Sequence, residues 1–154
     1  MRRAGGTSGT RRGAAARLLA SVLLVAGGAA CTRGSAAVHG RIVAIHERDF
    51  KLSAGTDTVP AGLVTFRVHN TGPSTHELNL VRTDAMPDDL PLRPNGLTVD
   101  ENSHALHLID SVDDVRMGAT KDLTVDLEPG HYVLYCNLEG HYLGGMYVEI
   151  EVTA

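Results

Sequence analysis

Three side chains that bind soft or borderline metal ions follow one another at even spacing near the end of the chain. Cys136, His141 and Met146 form a C-x₄-H-x₄-M pattern, and His76 lies upstream of them. Two imidazoles, one thiolate and one thioether are the donors of a trigonal His₂Cys copper site with a weak axial Met, a type of site used for electron transfer. The residue types therefore predict one bound copper ion, held by His76, Cys136, His141 and Met146.

Two simpler interpretations compete with this one. Cys136 would be an inert buried thiol, and Met146 would be an ordinary core side chain that packs near the site without binding the metal. Against the first, Cys136 is the one cysteine of the predicted domain, so it has no disulfide partner there. A free thiol outside the cytoplasm is prone to oxidation, and a bound metal would protect it.

The segments around these residues have a sequence pattern typical of an all-β domain: short runs of alternating apolar and polar residues lie between turns that contain Gly, Pro and Asn. His76, Cys136 and Met146 each fall in phase with the inward-facing apolar residues of their own segment. Regularly spaced strands of this kind predict a two-sheet β-sandwich. The predicted strands lie near 41–46, 50–53, 63–70, 75–82, 120–128, 131–136 and 146–152.

The alternation lapses between Thr83 and Val115, where Pro-rich stretches predict a loop and Ser103–Ile109 is predicted as a short helix. On such a helix His104 and His107 form an H-x-x-H pair that is a minor candidate for a second metal site. His69 is a rival to His76, but it falls on the outward face of its strand.

Charge is distributed unevenly along the chain. Residues 1–30 hold five arginines and no acidic residue, whereas residues 31–154 hold nine basic and 18 acidic residues, or about −9. An acidic domain is repelled by the phosphates of nucleic acid, which excludes that class of partner. The charge predicts a redox partner with a basic docking patch.

The amino terminus has the features of an export signal. The basic stretch precedes an apolar run, Leu18–Ala26, which is too short to span a bilayer. Small residues and then Cys31 follow, an order that resembles a bacterial lipoprotein signal. We therefore predict a signal peptide over 1–30, a lipidated Cys31 with a flexible tether over 31–40, and a domain over 41–154. The mature protein would be a monomer anchored by lipid to the outer face of the bacterial cytoplasmic membrane.

The segment from Cys136 to Met146 resembles the copper-binding loop of the plastocyanin/azurin, or cupredoxin, family. Its spacing is most similar to that of the sulfocyanin and rusticyanin branch, and the segment around His76 resembles the place of the family's first histidine ligand. The resemblance covers about 41–154 and implies a Greek-key β-sandwich with one type 1 copper at one end.

The resemblance also implies a protein that transfers single electrons by Cu(I)/Cu(II) cycling and is not an enzyme. Copper nitrite reductases and oxidases of the same family need a second copper site and a second sandwich domain, for which 154 residues are too few. The remaining alternative is an extracytoplasmic copper carrier or sensor.

Two further expectations concern the surroundings of the ligands. Glu77 and Asn137, each next to a ligand, are predicted to hydrogen-bond across the two ligand segments and clamp the site. His141 is predicted to reach the surface through an uncharged patch formed by Tyr142, Leu143, Gly144 and Gly145.

Overall fold

The computed structural model describes residues 40–154, so the predicted signal peptide, Cys31 and nearly all of the tether lie outside the described residues. Nine β-strands make up the regular structure of this part of the chain. No helix long and apolar enough to cross a membrane is found in it. The strands are β1 (Arg41–Arg48), β2 (Lys51–Ala54), β3 (Thr58–Pro60), β4 (Gly62–Asn70), β5 (His76–Arg82), β6 (His107–Val115), β7 (Thr120–Leu127), β8 (Gly130–Tyr135) and β9 (Tyr147–Thr153).

The first sheet has the strand order β2-β1-β4-β7. β1 and β4 are parallel, and β4 and β7 are antiparallel. In β4, Val64, Phe66 and Val68 are buried, while the residues between them face outward, as their alternation predicts. On the outer face, polar side chains pair across neighbouring strands. Arg67, for example, donates two hydrogen bonds of 2.9 and 2.8 Å to Asp122.

The second sheet has the order β3-β9-β8-β5-β6 and packs its inner face on the first. The chain passes repeatedly between the sheets, which gives the predicted Greek-key β-sandwich. β8 lies at the centre, and both of its faces are buried. Leu134 points into the main core, whereas Val133 and Tyr135 pack under the long segment between β5 and β6.

That segment differs from the prediction in one respect. Ser103–Ile109 is not a helix: His104 lies in a turn, and His107 begins β6, which pairs with β5 in antiparallel register. The backbone groups along the edge of β5 need hydrogen-bond partners, and β6 supplies them. The short strand β3, which pairs with β9, was also absent from the sequence prediction.

Candidate metal centre

The four predicted ligands meet at one end of the sandwich because of the antiparallel pairing of three strands. β8 ends at Tyr135, and its neighbours β5 and β9 both begin at that same end. His76 is the first residue of β5, Cys136 directly follows β8, and Met146 directly precedes β9. The turn that joins Cys136 to Met146 brings His141 back over the same point.

The donor atoms of three of these residues converge. Cys136 Sγ lies 4.0 Å from His76 Nδ1 and 3.6 Å from His141 Nδ1, and all three donor atoms lie within 4.8 Å of one another. Nitrogen and sulfur donors at the bond lengths they make to Zn²⁺, a comparable ion, would stand about 3.7 Å apart in a trigonal plane. The observed spacing fits donors around a single ion.

Backbone hydrogen bonds tie Met146 to the other ligands. Cys136 N–H donates to the carbonyl of Met146 at 3.1 Å, and Met146 N–H donates to the carbonyl of His141 at 3.1 Å. Cys136, His76 and Met146 are fully buried, whereas His141 is half-buried. Met146 therefore belongs both to the core, as the simpler interpretation holds, and to the ligand cluster.

In the metal-free protein, burial favours the uncharged forms of Cys136 and His76. It raises the pKa of the Cys136 thiol to about 11, although the backbone N–H groups of Glu77 and Leu138 donate to the sulfur and oppose this shift. Burial, together with the neighbouring His141, lowers the pKa of His76. At neutral pH the imidazole of His76 thus offers a free lone pair, and a metal cation must displace the thiol proton to bind.

The predicted hydrogen bond between Glu77 and Asn137 is present. Asn137 N–H donates to Glu77 Oε1 at 3.1 Å, and the Asn79 side-chain amide donates to the same oxygen at 3.1 Å. The Asn137 side chain also exchanges hydrogen bonds with the backbone of Val99, at 2.6 and 3.1 Å. The segment between β5 and β6 thereby holds the ligand loop from its outer side.

Tyr142 strengthens the same attachment and is buried, which corrects its predicted place in a surface patch. Its hydroxyl donates to the carbonyl of Pro87 at 3.0 Å and accepts from the N–H of Leu90 at 2.8 Å. The aromatic ring packs with Val133 and Tyr135 under the segment between β5 and β6, where it helps to cover the apolar residues of that segment.

Two residues of the site were missed by the sequence analysis, and both lie in the turn between β1 and β2. Asp49 Oδ1 is 3.1 Å from His76 Nε2. The ring of Phe50 stands against the ring of His141, with 5.0 Å between centroids. No local motif marks them, since their approach depends on the pairing of β1 with β4 across the first sheet.

The other candidate histidines do not join a ligand cluster. Within residues 40–154, His76, Cys136 and His141 form the one group of three or more potential metal ligands among His, Cys, Asp and Glu side chains. His69 lies on the outer face of the first sheet, where its Nδ1 is 3.0 Å from Thr120 Oγ1. His104 and His107 line a surface groove together with Asp84, but these side chains do not converge as a group of three ligands.

The comparisons with known proteins identify the class of this site. The family model of the sulfocyanin (SoxE) domain matches residues 53–154. The chain therefore belongs to the sulfocyanin domain family. No curated protein matches it.

Solved structures of similar fold include auracyanins and rusticyanins, which are cupredoxins. Auracyanin from Roseiflexus castenholzii is 22% identical with a TM-score of 0.55, over 75% of this chain and 98% of its own. Auracyanin A from Chloroflexus aurantiacus, described as a "blue" copper protein, is 20% identical with a TM-score of 0.51, over 73% and 98%. Rusticyanin from Thiobacillus ferrooxidans is 16% identical with a TM-score of 0.53, over 74% and 79%. These likenesses confirm the predicted fold.

The donor set agrees with the cofactor of this family. A buried thiolate and two imidazoles with a neighbouring thioether suit copper in both oxidation states, whereas Mg²⁺ and Ca²⁺ prefer oxygen donors. His76, Cys136, His141 and Met146 thus form a site for one type 1 copper ion. Membership of the family and the convergence of these residues together confirm the predicted copper cofactor.

Proposed function

We propose that this chain is an exported protein that carries single electrons between redox partners. The observation that carries the proposal is the convergence of one buried cysteine sulfur and two imidazoles at the end of a cupredoxin sandwich. Bound copper would supply the one-electron couple. His76, Cys136, His141 and Met146 would hold the ion, with the thioether of Met146 as the weakest donor, and burial keeps water from the sulfur of Cys136.

Burial of the ligands supports electron transfer over the alternative role of a copper carrier or sensor. Cys136, His76 and Met146 are inaccessible to solvent, so an incoming chelating protein has no direct approach to them. Hydrogen bonds fix the ligand loop at both Asn137 and Tyr142. A rigid and closed site suits repeated electron exchange, because the ligands need to move little when the charge of the metal changes.

His141 provides the route to the surface. It is the one ligand that is not fully buried, and two exposed apolar side chains lie beside it: Phe50 is 53% exposed and Leu143 is 51% exposed. Small and weak interfaces are typical of redox encounters. The redox partner would dock on this apolar face, and the charge of about −9 over residues 31–154 would attract a partner with a basic patch.

The proposed location rests on the amino-terminal sequence. The basic and apolar stretch before Cys31 supports export. A lipid on Cys31 would anchor the monomer to the outer face of the bacterial cytoplasmic membrane, and residues 31–40 would serve as its tether.

Replacing Leu143 by lysine tests the docking face. With a basic c-type cytochrome as the probe, Leu143→Lys should slow electron exchange about tenfold. The reason is that a like charge placed at the centre of a small interface costs on the order of 1–2 kcal/mol. The second-order rate constant is measured by stopped-flow absorbance, and the visible spectrum should stay unchanged.

The matched control is Leu63→Lys. Leu63 is 39% exposed and lies near the start of β4, at the opposite end of the sandwich from the ligands. The Leu63→Lys substitution adds the same charge away from the apolar face, and it should slow electron exchange far less than Leu143→Lys does. Equal rates for the two variants would show that electrons leave by another face.

A further inference from the structure

The two ring nitrogens of His76 have different partners. Nδ1 faces Cys136 Sγ, at 4.0 Å, while Nε2 faces Asp49 Oδ1, at 3.1 Å. Both Nε2 and Oδ1 are buried atoms, and neither forms a hydrogen bond of good geometry within residues 40–154, so the ion-pair contact of 3.1 Å is what joins them. A buried imidazole nitrogen and a buried carboxylate oxygen need polar partners, and each is the group that the other faces at this distance.

Asp49 is itself held in position. Its other oxygen, Oδ2, accepts a hydrogen bond of 3.0 Å from the hydroxyl of Ser74. Ser74 is fixed in turn by Asn70, whose side-chain amide donates to the Ser74 carbonyl at 2.7 Å. Because Ser74 lies two residues before His76, this chain of contacts ties the turn between β1 and β2 to the start of β5.

The carboxylate determines which nitrogen of His76 is free. An acceptor at Nε2 keeps the proton on that nitrogen, so the lone pair stays on Nδ1, which points at the ligand cluster. A charged acceptor also makes the hydrogen bond stronger and raises the basicity of the opposite nitrogen. No such carboxylate contacts His141 among the hydrogen bonds and ion pairs of the described residues, so the two histidines differ in donor strength.

We propose that Asp49 is a positioning residue that fixes His76 with its lone pair on Nδ1 and strengthens that nitrogen as a metal ligand. This inference rests on the proposed function, since it assigns Asp49 a role at the same copper site. A stronger imidazole donor favours Cu(II) over Cu(I), so Asp49 would lower the reduction potential of the protein. It would also increase the affinity for metals that do not change oxidation state.

The test is Asp49→Asn in the full chain. Asparagine keeps the size of the side chain but removes the charge, and its amide either accepts weakly from Nε2 or donates to it and displaces the proton to Nδ1. Loss of such a partner typically weakens metal binding about 10–100-fold. We expect a loss of that size in the affinity for Zn²⁺, measured by chelator competition, and a higher reduction potential with copper.

Pulsed EPR of the Cu(II) protein gives a signature that a merely structural role would not produce. The remote nitrogens of the two imidazoles give separate quadrupole couplings, which respond to hydrogen bonding at Nε2. Asp49→Asn should change the coupling of one histidine and leave the other as it is. Ser74→Ala, which loosens Asp49 without removing its charge, should change the same coupling by a smaller amount.

Asp126→Asn is the matched control. Asp126 is exposed on β7 and pairs with Leu63, at the other end of the sandwich, and the substitution changes the net charge equally. Zn²⁺ affinities that are equal in Asp49→Asn and Asp126→Asn, or remote-nitrogen couplings that are unchanged in both Asp49 and Ser74 variants, would overturn the proposal. Failure of the proposed function would be distinct, because the wild-type protein itself would then lack the thiolate spectrum.

Discussion

Cys136→Ser should remove the intense visible absorption of the copper-loaded protein completely. That absorption arises from charge transfer from a thiolate sulfur to Cu(II), and Cys136 Sγ lies 4.0 and 3.6 Å from the Nδ1 atoms of His76 and His141. A serine hydroxyl at this buried position is a poor ligand and has no comparable transition in the visible range. The measurement is an absorption spectrum of each protein after loading with one equivalent of Cu(II).

Cys31→Ser provides the control, because Cys31 is the other of the two cysteines in the chain. Its removal should leave the visible spectrum of the loaded protein as in the wild type. A visible band of undiminished strength in Cys136→Ser would remove Cys136 from the site.

Glu47 should make the copper-free protein less stable as the pH rises. Its side chain is fully buried at the end of β1, and neither carboxylate oxygen has a hydrogen-bond partner. Burial, and then the nearby Glu77, raise the pKa of Glu47 to about 8. Between the ordinary carboxyl pKa of 4.5 and about pH 8, the folded protein keeps a proton that the unfolded chain releases.

The direction of this change in stability with pH follows from proton linkage. The unfolded state binds fewer protons in this range, so the free energy of unfolding falls as the pH rises. The stability that the folded protein gains by keeping this proton is fully present below pH 4.5 and is lost by about pH 8. The free energy of unfolding falls by about 3–5 kcal/mol over this range.

Glu47→Leu isolates this effect from the other titrating groups. The variant should gain stability relative to the wild type, and the gain should be larger at pH 8.5 than at pH 5.5, as measured by urea unfolding of the copper-free proteins. Glu151→Leu, at an exposed position of β9, should change the free energy of unfolding by less than about 0.5 kcal/mol. A constant difference between Glu47→Leu and wild type at both pH values would contradict the assignment of a raised pKa.

Strands with one buried face, such as β4, β7 and β9, could be predicted because only that face contributes to the core. β4 and β7 alternate strictly, since their other faces are exposed. The positions of Cys136 and Met146 follow from the same rule, as each continues the inward phase of its strand. The spacing of the ligands in the loop then predicted a copper site, because few functions require a cysteine, a histidine and a methionine at these intervals.

Other features depend on pairing between distant segments, which the sequence does not display locally. β6 could not be distinguished from a helix because its residues alternate poorly in exposure, and pairing with β5 determines its structure. Asp49 and Phe50 reach the two histidines only through the parallel register of β1 and β4. The burial of Tyr142 likewise depends on a segment some 50 residues earlier in the chain.

The EPR spectrum of the wild-type protein loaded with one Cu(II) tests the central claim most directly. A short bond to a thiolate spreads the unpaired electron onto the sulfur, which reduces the hyperfine splitting from the copper nucleus. The convergence of Cys136 Sγ with two imidazole nitrogens predicts one Cu(II) species with this small splitting, together with the strong visible band. A large splitting without that band, as copper bound only by nitrogen and oxygen gives, would contradict the assignment of His76, Cys136, His141 and Met146 as a type 1 copper site.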